Sequence, residues 1–405
     1  MNNMNNWMKT VTTFMISQTV SLLGSMLVMY TIMWHVTLTT QSGIMMTIMV
    51  MCTFIPALLI SPFAGVWADK LNRKKLMITA DLLIAAVTLL IAILFIFNIR
   101  DIWIIFVVSV IRSIGQSIHQ PAVSAVYPQI VPKDDLIRIQ GISQGIQSAS
   151  MIVMPMLAGL LLATIPIEYI FLIDVVTAIA AVFILVQFVK LPKHQAEENK
   201  EEINYFDDIK KGLHYAFTHP LVFKILLFGF LFMILVAAPS FLTYLQVARV
   251  FGPEAWRLSA LETAFGIGML IGSITITLWG GLKNRLVTYF LAYMAIGFGT
   301  IGLGLPINFF IYIGIWLIVG LFISISNPVF VGLMQEKVDP AYIGRVFSVF
   351  GLINTISLPL GMLVFGPLSD FVDISHIILF SGVGMVLIAI VPLFNKKLLL
   401  QGNRS

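Results

Sequence analysis

A run of twenty or more mostly apolar residues, closed by a short polar gap, recurs twelve times along this chain. At 1.5 Å rise per residue, such a run matches the thickness of a bilayer's hydrocarbon core. In lipid a backbone must satisfy its own polar groups, so each run has to be a helix. The predicted spans are 9–36, 43–68, 74–98, 102–128, 138–164, 168–190, 219–248, 256–281, 285–305, 307–334, 342–369 and 373–395. The fold class that follows is an all-α polytopic membrane protein with twelve transmembrane helices. Composition agrees: 59% of residues are hydrophobic and 11% charged, where a soluble domain carries about 25% charge. The first run is too long for the apolar part of a signal peptide and lacks a small-residue cleavage pattern, so it reads as a span.

The one long polar stretch, "LPKHQAEENKEEINYFDDIKKGLHYAFTHP", lies between spans six and seven. It divides the chain into a six-helix bundle over 1–190, a central loop over 191–218 and a second bundle over 219–405. In the loop Ile203, Phe206, Leu213 and Phe217 fall roughly on one side. That predicts an amphipathic helix lying on the membrane surface. Of the 24 lysines and arginines, Arg100, Arg249 and Arg257 fall on one side of the membrane and Arg112 within a span. All the others fall on the opposite side, which is therefore cytoplasmic and holds both termini. The net charge of +5 then belongs to the membrane surface and implies no nucleic acid. The single cysteine, Cys52, allows no intrachain disulfide and reads as a small buried hydrophobe.

The bundles carry a weak internal repeat. Aligning "HQPAVSAVYPQIVPKDDLIR" with "SNPVFVGLMQEKVDPAYIGR" sets Gln120-Pro121 on Asn327-Pro328 and Arg138 on Arg345. Parallel six-helix repeats of this kind build one transporter architecture, with substrate at the repeat interface.

An ionisable residue within a span costs about 2.5–3.5 kcal/mol on insertion scales and points to function by default. Asp81 lies in span three, Arg112 and His119 in span four, Asp174 in span six and Glu262 in span eight. These five are the candidates for moving or tuning a proton. Structural alternatives stand beside them: helix-to-helix bonding for Arg112, a rim ion pair for Asp81, snorkelling for Asp174 and Glu262, and plain packing for His119. Arg112, Gln116 and His119 recur at i, i+4 and i+7, one helix face, which Gln120 extends. Such a stripe packs against another polar helix or lines a wet cavity. The substrate-cavity candidates are Gln18, Gln116, Gln120, Gln144, Gln147, Ser324 and Asn327.

Other chemistry lacks its signatures. There is no G-x-x-x-x-G-K-[ST] for a phosphate loop, and no H-E-x-x-H or Cys/His cluster for a metal. "GISQG" at 141–145 matches a nucleophile-elbow spacing but starts a membrane helix instead of following a strand. The expectation is a non-enzyme without metal or cofactor.

The gap between spans two and three, "GVWADKLNRKKLM", resembles the signature loop of the major facilitator superfamily, G-x-L-a-D-r-x-G-r-k-x-x-l. Gly65, Ala68, Asp69, Arg73 and Lys74 match; Trp67 replaces the leucine and Asn72 the second glycine. The resemblance implies the superfamily fold, two six-helix pseudo-repeats. It also implies a cytoplasmic gate in which Gly65 allows close helix contact, Asp69 caps or pairs, and Arg73 and Lys74 bridge to the neighbouring half. Asn72 is expected to keep a left-handed turn. "MNNWMKTVTTFMISQTVSLLGS", "RKKLMITADLLIAA", "IRSIGQSIHQPAVSAV" and "QEKVDPAYIGRVFS" are similar to the macrolide-efflux group of drug:proton antiporters. The span-four pattern R-x-x-q-G reads here Arg112-Ser-Ile-Gly115-Gln116, and the span-five antiporter pattern is reduced to Met154-Pro155 and Ala158-Gly159. The resemblance implies proton-coupled export of small amphiphiles by alternating access, from a monomer in a bacterial cytoplasmic membrane. In this reading Asp81 or Glu262 carries the proton and Arg112 tunes it. Export of another amphiphile (a siderophore, peptide antibiotic or lysolipid) and uptake by a symporter of the same fold remain alternatives.

Overall fold

A computed structural model describes residues 2–189, 191, 205–340, 342–395 and 399. These form α1 (Asn2–Thr40), α2 (Gly43–Lys70), α3 (Arg73–Ile96), α4 (Ile102–Ile130), α5 (Leu136–Thr164), α6 (Ile167–Phe188), α7 (Tyr205–Thr218), α8 (Pro220–Gln246), α9 (Ala255–Trp279), α10 (Arg285–Leu303), α11 (Phe309–Lys337), α12 (Ile343–Leu368) and α13 (Ile374–Leu393). Among the described residues, twelve helices are long and apolar enough to cross a membrane; α7 is not among them. Large apolar side chains stand exposed on their flanks, among them Leu59, Leu160, Val176, Leu278 and Phe310. In water such a surface would aggregate; in a bilayer it faces acyl chains.

The helix starts follow from local chemistry. Asn72, Asn284 and Asn308 each accept the backbone N–H three residues on, capping α3, α10 and α11. Asn72 has φ −67° and ψ 108°. It is therefore an extended N-cap and not the left-handed turn that its place in the signature loop implied. Proline opens α8 at its first position, where its missing N–H costs nothing.

The chain forms two compact units. Unit 1 comprises Met1–Thr39, Ile48–Asn199 and Glu254–Ser259; unit 2 comprises Thr40–Thr47, Lys200–Pro253 and Ala260–Ser405. Helix α2 thus starts in unit 2 and continues in unit 1. Within unit 1, α3 packs on α4 and α6. Val11, Phe14, Met77, Ala122, Val126, Tyr127 and Leu185 close one end of this core. Within unit 2, α10 packs on α11 and α13, and α8 on α12 and α13. Its centre is aromatic: Phe232 stacks on Tyr293 at 3.6 Å between centroids, and Phe330 on Phe350 at 3.9 Å.

Helix α7 lies against α8 and α12 of its own unit. It buries Gly212, Tyr215 and Ala216 there, Tyr215 stacking on Tyr342 at 4.6 Å. Leu213 and Phe217 stay exposed, so the apolar residues divide between a docked face and an open one. Ile203 lies outside the described residues.

Candidate functional site

The signature loop binds helix ends inside unit 1. The Arg73 guanidinium donates to the carbonyls of Ala68 at 2.9 Å and Ala125 at 2.7 Å, near the ends of α2 and α4. Lys74 Nζ donates to Val186 at 3.2 Å and Val189 at 2.8 Å, at the end of α6. Cations complement the exposed carbonyls and negative dipole ends there. Asp69 pairs with Arg73 at 3.6 Å. Arg73 and Lys74 thus staple three helices of their own unit. Among the described residues, no atom beyond its own stretch of helix comes within 4 Å of a Cβ built at Gly65. The repeat returns in unit 2, where Asn284 caps α10 and Arg285 pairs with Glu336 near the end of α11, at 3.4 Å. Replacing Arg73 by Ala removes two charge-assisted bonds, each worth about 1.5–3 kcal/mol. The purified variant is expected to melt well below the parent, and Lys75→Ala, an exposed neighbour, at the parent's temperature.

Deeper in unit 1 the polar stripe of α4 meets two carboxylates at two levels. At one level Arg112 Nη1 lies 2.5 Å from Asp174 Oδ2 and also bonds the Thr88 hydroxyl. Its Nη2 reaches the Ser25 carbonyl at 3.4 Å. The side chains of Arg112 and Asp174 are only 11% and 1% exposed. Asp174 therefore does not snorkel; it neutralises Arg112. The arginine is paired with α6.

At the other level stands Asp81, buried on α3. Ser21 of α1 donates its hydroxyl to Oδ1 at 3.0 Å. His119 Nε2 lies 3.3 Å from the same oxygen, outside hydrogen-bond alignment. Among the described residues, Oδ2 of Asp81 has no hydrogen-bond partner, nor has either amide atom of Gln18. Beside this group opens a cavity of about 80 Å³. Gln18, Ser21, Gln116, His119, Gln120 and Gln147 contribute to its wall. A water needs roughly 10–15 Å³ by the same measure and two to four polar partners, so several fit. His119 stands with one side on the cavity and the other on Asp81.

The remaining candidates are elsewhere. Gln144 is exposed on α5 and does not line the cavity. In unit 2 Ser324 bonds Ser273 at 2.6 Å, and Asn327 is exposed. Glu262 accepts the Tyr244 hydroxyl in a short bond. Among the described residues no group of three or more His, Cys, Asp or Glu is placed to hold a metal ion.

Two charged residues that bond extensively, Arg249 and Asp370, were not singled out by the sequence. They sit in different interhelical gaps, and nothing local marks them as partners.

A model described as the Major Facilitator Superfamily matches residues 14–362. Macrolide efflux protein A of Streptococcus pyogenes is 33% identical over 399 residues, 98% of each chain. The Enterococcus faecalis protein of the same name is 34% identical over 311 residues, 76% of this chain and 96% of that one. Among solved structures, a peptide transporter POT in complex with sulfate aligns with TM-score 0.71 at 12% identity, covering 96% of both chains. A D-xylose–proton symporter aligns with TM-score 0.68 at 12% identity, covering 93% of this chain and 96% of the other. At such identities the structural likeness establishes the fold alone.

Proposed function

Because this chain belongs to the Major Facilitator Superfamily, we propose that it works as an antiporter, exporting a macrolide-type amphiphile in exchange for protons. In this reading it is a monomer of a bacterial cytoplasmic membrane, with both termini in the cytoplasm. The observation that carries the proton half is the buried Asp81–His119 pair beside the polar cavity of unit 1. An unpartnered carboxylate oxygen in an apolar core is costly unless a proton or water meets it. Here a titratable imidazole stands 3.3 Å away and water-sized space adjoins. Among the described residues no lysine or arginine pairs with Asp81; Arg112 and Asp174 satisfy each other. The likeness to the macrolide efflux proteins along the whole chain supports the substrate half.

The energetics are sufficient. One charge crossing 100 mV yields about 2.3 kcal/mol. At about 1.4 kcal/mol per decade, that sustains a roughly 40-fold gradient of a neutral substrate. Radiolabelled erythromycin in proteoliposomes tests the reading. An imposed pH gradient is expected to drive accumulation, and a protonophore to collapse it. Transport without response to the pH gradient would remove proton coupling, and no transport of any macrolide tested would remove the substrate class.

A further inference from the structure

At the opposite end of α8 from α7, the helix does not finish as an α-helix. Val247–Phe251 form a π-turn in which the Gly252 N–H bonds the Val247 carbonyl, five residues back, at 3.1 Å. Gly252 closes it with φ 124°, a backbone conformation that favours glycine. A π-turn holds one residue more than the α-helix it interrupts and often marks a functional segment. This one carries Arg249.

The Arg249 guanidinium binds three groups at once. It donates to the Gln41 carbonyl from Nε at 3.0 Å and from Nη2, to the Ser369 carbonyl at 2.7 Å, and to Asp370 Oδ1 at 2.8 Å. Asp370 in turn accepts the Gly43 N–H at 2.7 Å, the Ile44 N–H at 3.0 Å and the Ser42 hydroxyl at 2.7 Å. Gly43 and Ile44 begin α2. Asp370 is thus an N-cap supplied from the far end of the sequence, at the helix end that favours an anion. Burial pushes its carboxyl pKa up, but the bonds from Ile44, Gly43, Ser42 and Arg249 outweigh that and hold it below the usual carboxylate value. Beneath the clamp the backbones touch: a Cβ on Gly43 would lie 2.1 Å from the Gly366 carbonyl oxygen.

We propose that Arg249 and Asp370 form a releasable clamp on the first turn of α2, with the π-turn as its moving part. Three features favour release over a fixed brace. The Arg249 and Asp370 side chains are 30% and 18% exposed, so water can take over their bonds; Arg112 and Asp174 are sealed by comparison. Converting the π-turn to α geometry shifts the helix face by one residue, about 100° at 3.6 residues per turn. That swings the guanidinium off its carbonyls. Finally, α2 passes from unit 2 into unit 1 just beyond the clamped turn, between Thr47 and Ile48. Release therefore frees the stretch of α2 that runs from unit 2 into unit 1; resting on the proposed transport function, alternating access moves one six-helix repeat against the other.

Thr47 reports on release. It is buried one turn inside the clamp, its hydroxyl bonding the Gly43 and Met362 carbonyls. In a Cys52→Ala background, Thr47→Cys in full-length protein in nanodiscs is expected to react with a maleimide slowly but to completion. Adding Asp370→Asn or Arg249→Ala is expected to raise the rate about tenfold or more, because each removes charged bonds. Thr177→Cys, inside unit 1, is the unfolding control and is expected to stay slow. Complete protection of Thr47→Cys over hours in the parent would make the clamp a static brace and overturn the proposal. So would a rate unchanged in both variants, or equal acceleration at Thr177→Cys.

Discussion

Neutralising one half of the Arg112–Asp174 pair, by Arg112→Gln or Asp174→Asn, is expected to destabilise the protein by about 3–5 kcal/mol. The reason is what remains. Either change leaves one charge sealed between helices: Arg112 would keep the Thr88 hydroxyl and the Ser25 carbonyl, and Asp174 would lose the guanidinium that neutralises it. Few rearrangements can bring water to side chains 11% and 1% exposed. At about 2–4 °C per kcal/mol for a body the size of unit 1, the apparent melting temperature of that unit falls by roughly 6–20 °C. The double variant Arg112→Gln/Asp174→Asn removes both charges and keeps polar groups of similar shape, so it is expected to lose less than either single variant. Thermal scans of the four purified proteins test this. A double variant that falls by the sum of the single losses would mean the two side chains act independently, against the 2.5 Å geometry.

This pairing marks where sequence reading stops. Arg112 and Asp174 each stand out as charges in apolar runs, 62 positions apart. Their depth was legible, because a helix rises by a fixed step per residue. Their partnership was not, because it depends on which faces of α4 and α6 turn toward each other. The twelve spans were legible for the same reason as the depth: length and apolarity are what a bilayer demands. Of the stripe Arg112–Gln116–His119–Gln120, legible from its period, the last three line a cavity and Arg112 does not. Gln144 and Gln147 differ by three residues on α5, about 60° around the helix, yet one is exposed and the other lines that cavity; how α5 is turned decides it. Asn72 shows a different gap. A motif position prescribes a residue's place in the loop, but the side chain decided between a left-handed turn and a cap. The Arg249–Asp370 clamp was invisible because both residues lie in short gaps where charges are expected, 121 positions apart. A π-turn has no sequence rule to announce it.

The largest functional effect is expected at Asp81. Under the antiport reading, Asp81→Asn keeps the shape and the Ser21 bond but cannot take up or release a proton. Accumulation driven by a pH gradient is then expected to fall to the level of empty liposomes. Exchange of labelled for unlabelled erythromycin across the same membrane is expected to continue, because exchange needs no net proton movement. The separation matters: a variant that loses both has lost its fold or its binding site, and melting temperature tells which. His119→Asn serves as the companion. It leaves the carboxylate in place but removes the imidazole that stands between Asp81 and the cavity, so driven transport is expected to slow and its pH profile to move, with exchange intact. Glu262 sets the opposing case, since it already holds the Tyr244 hydroxyl in unit 2. If Glu262→Gln abolishes driven transport and Asp81→Asn does not, the proton is carried in unit 2, and the cavity beside His119 is left with a substrate or structural role.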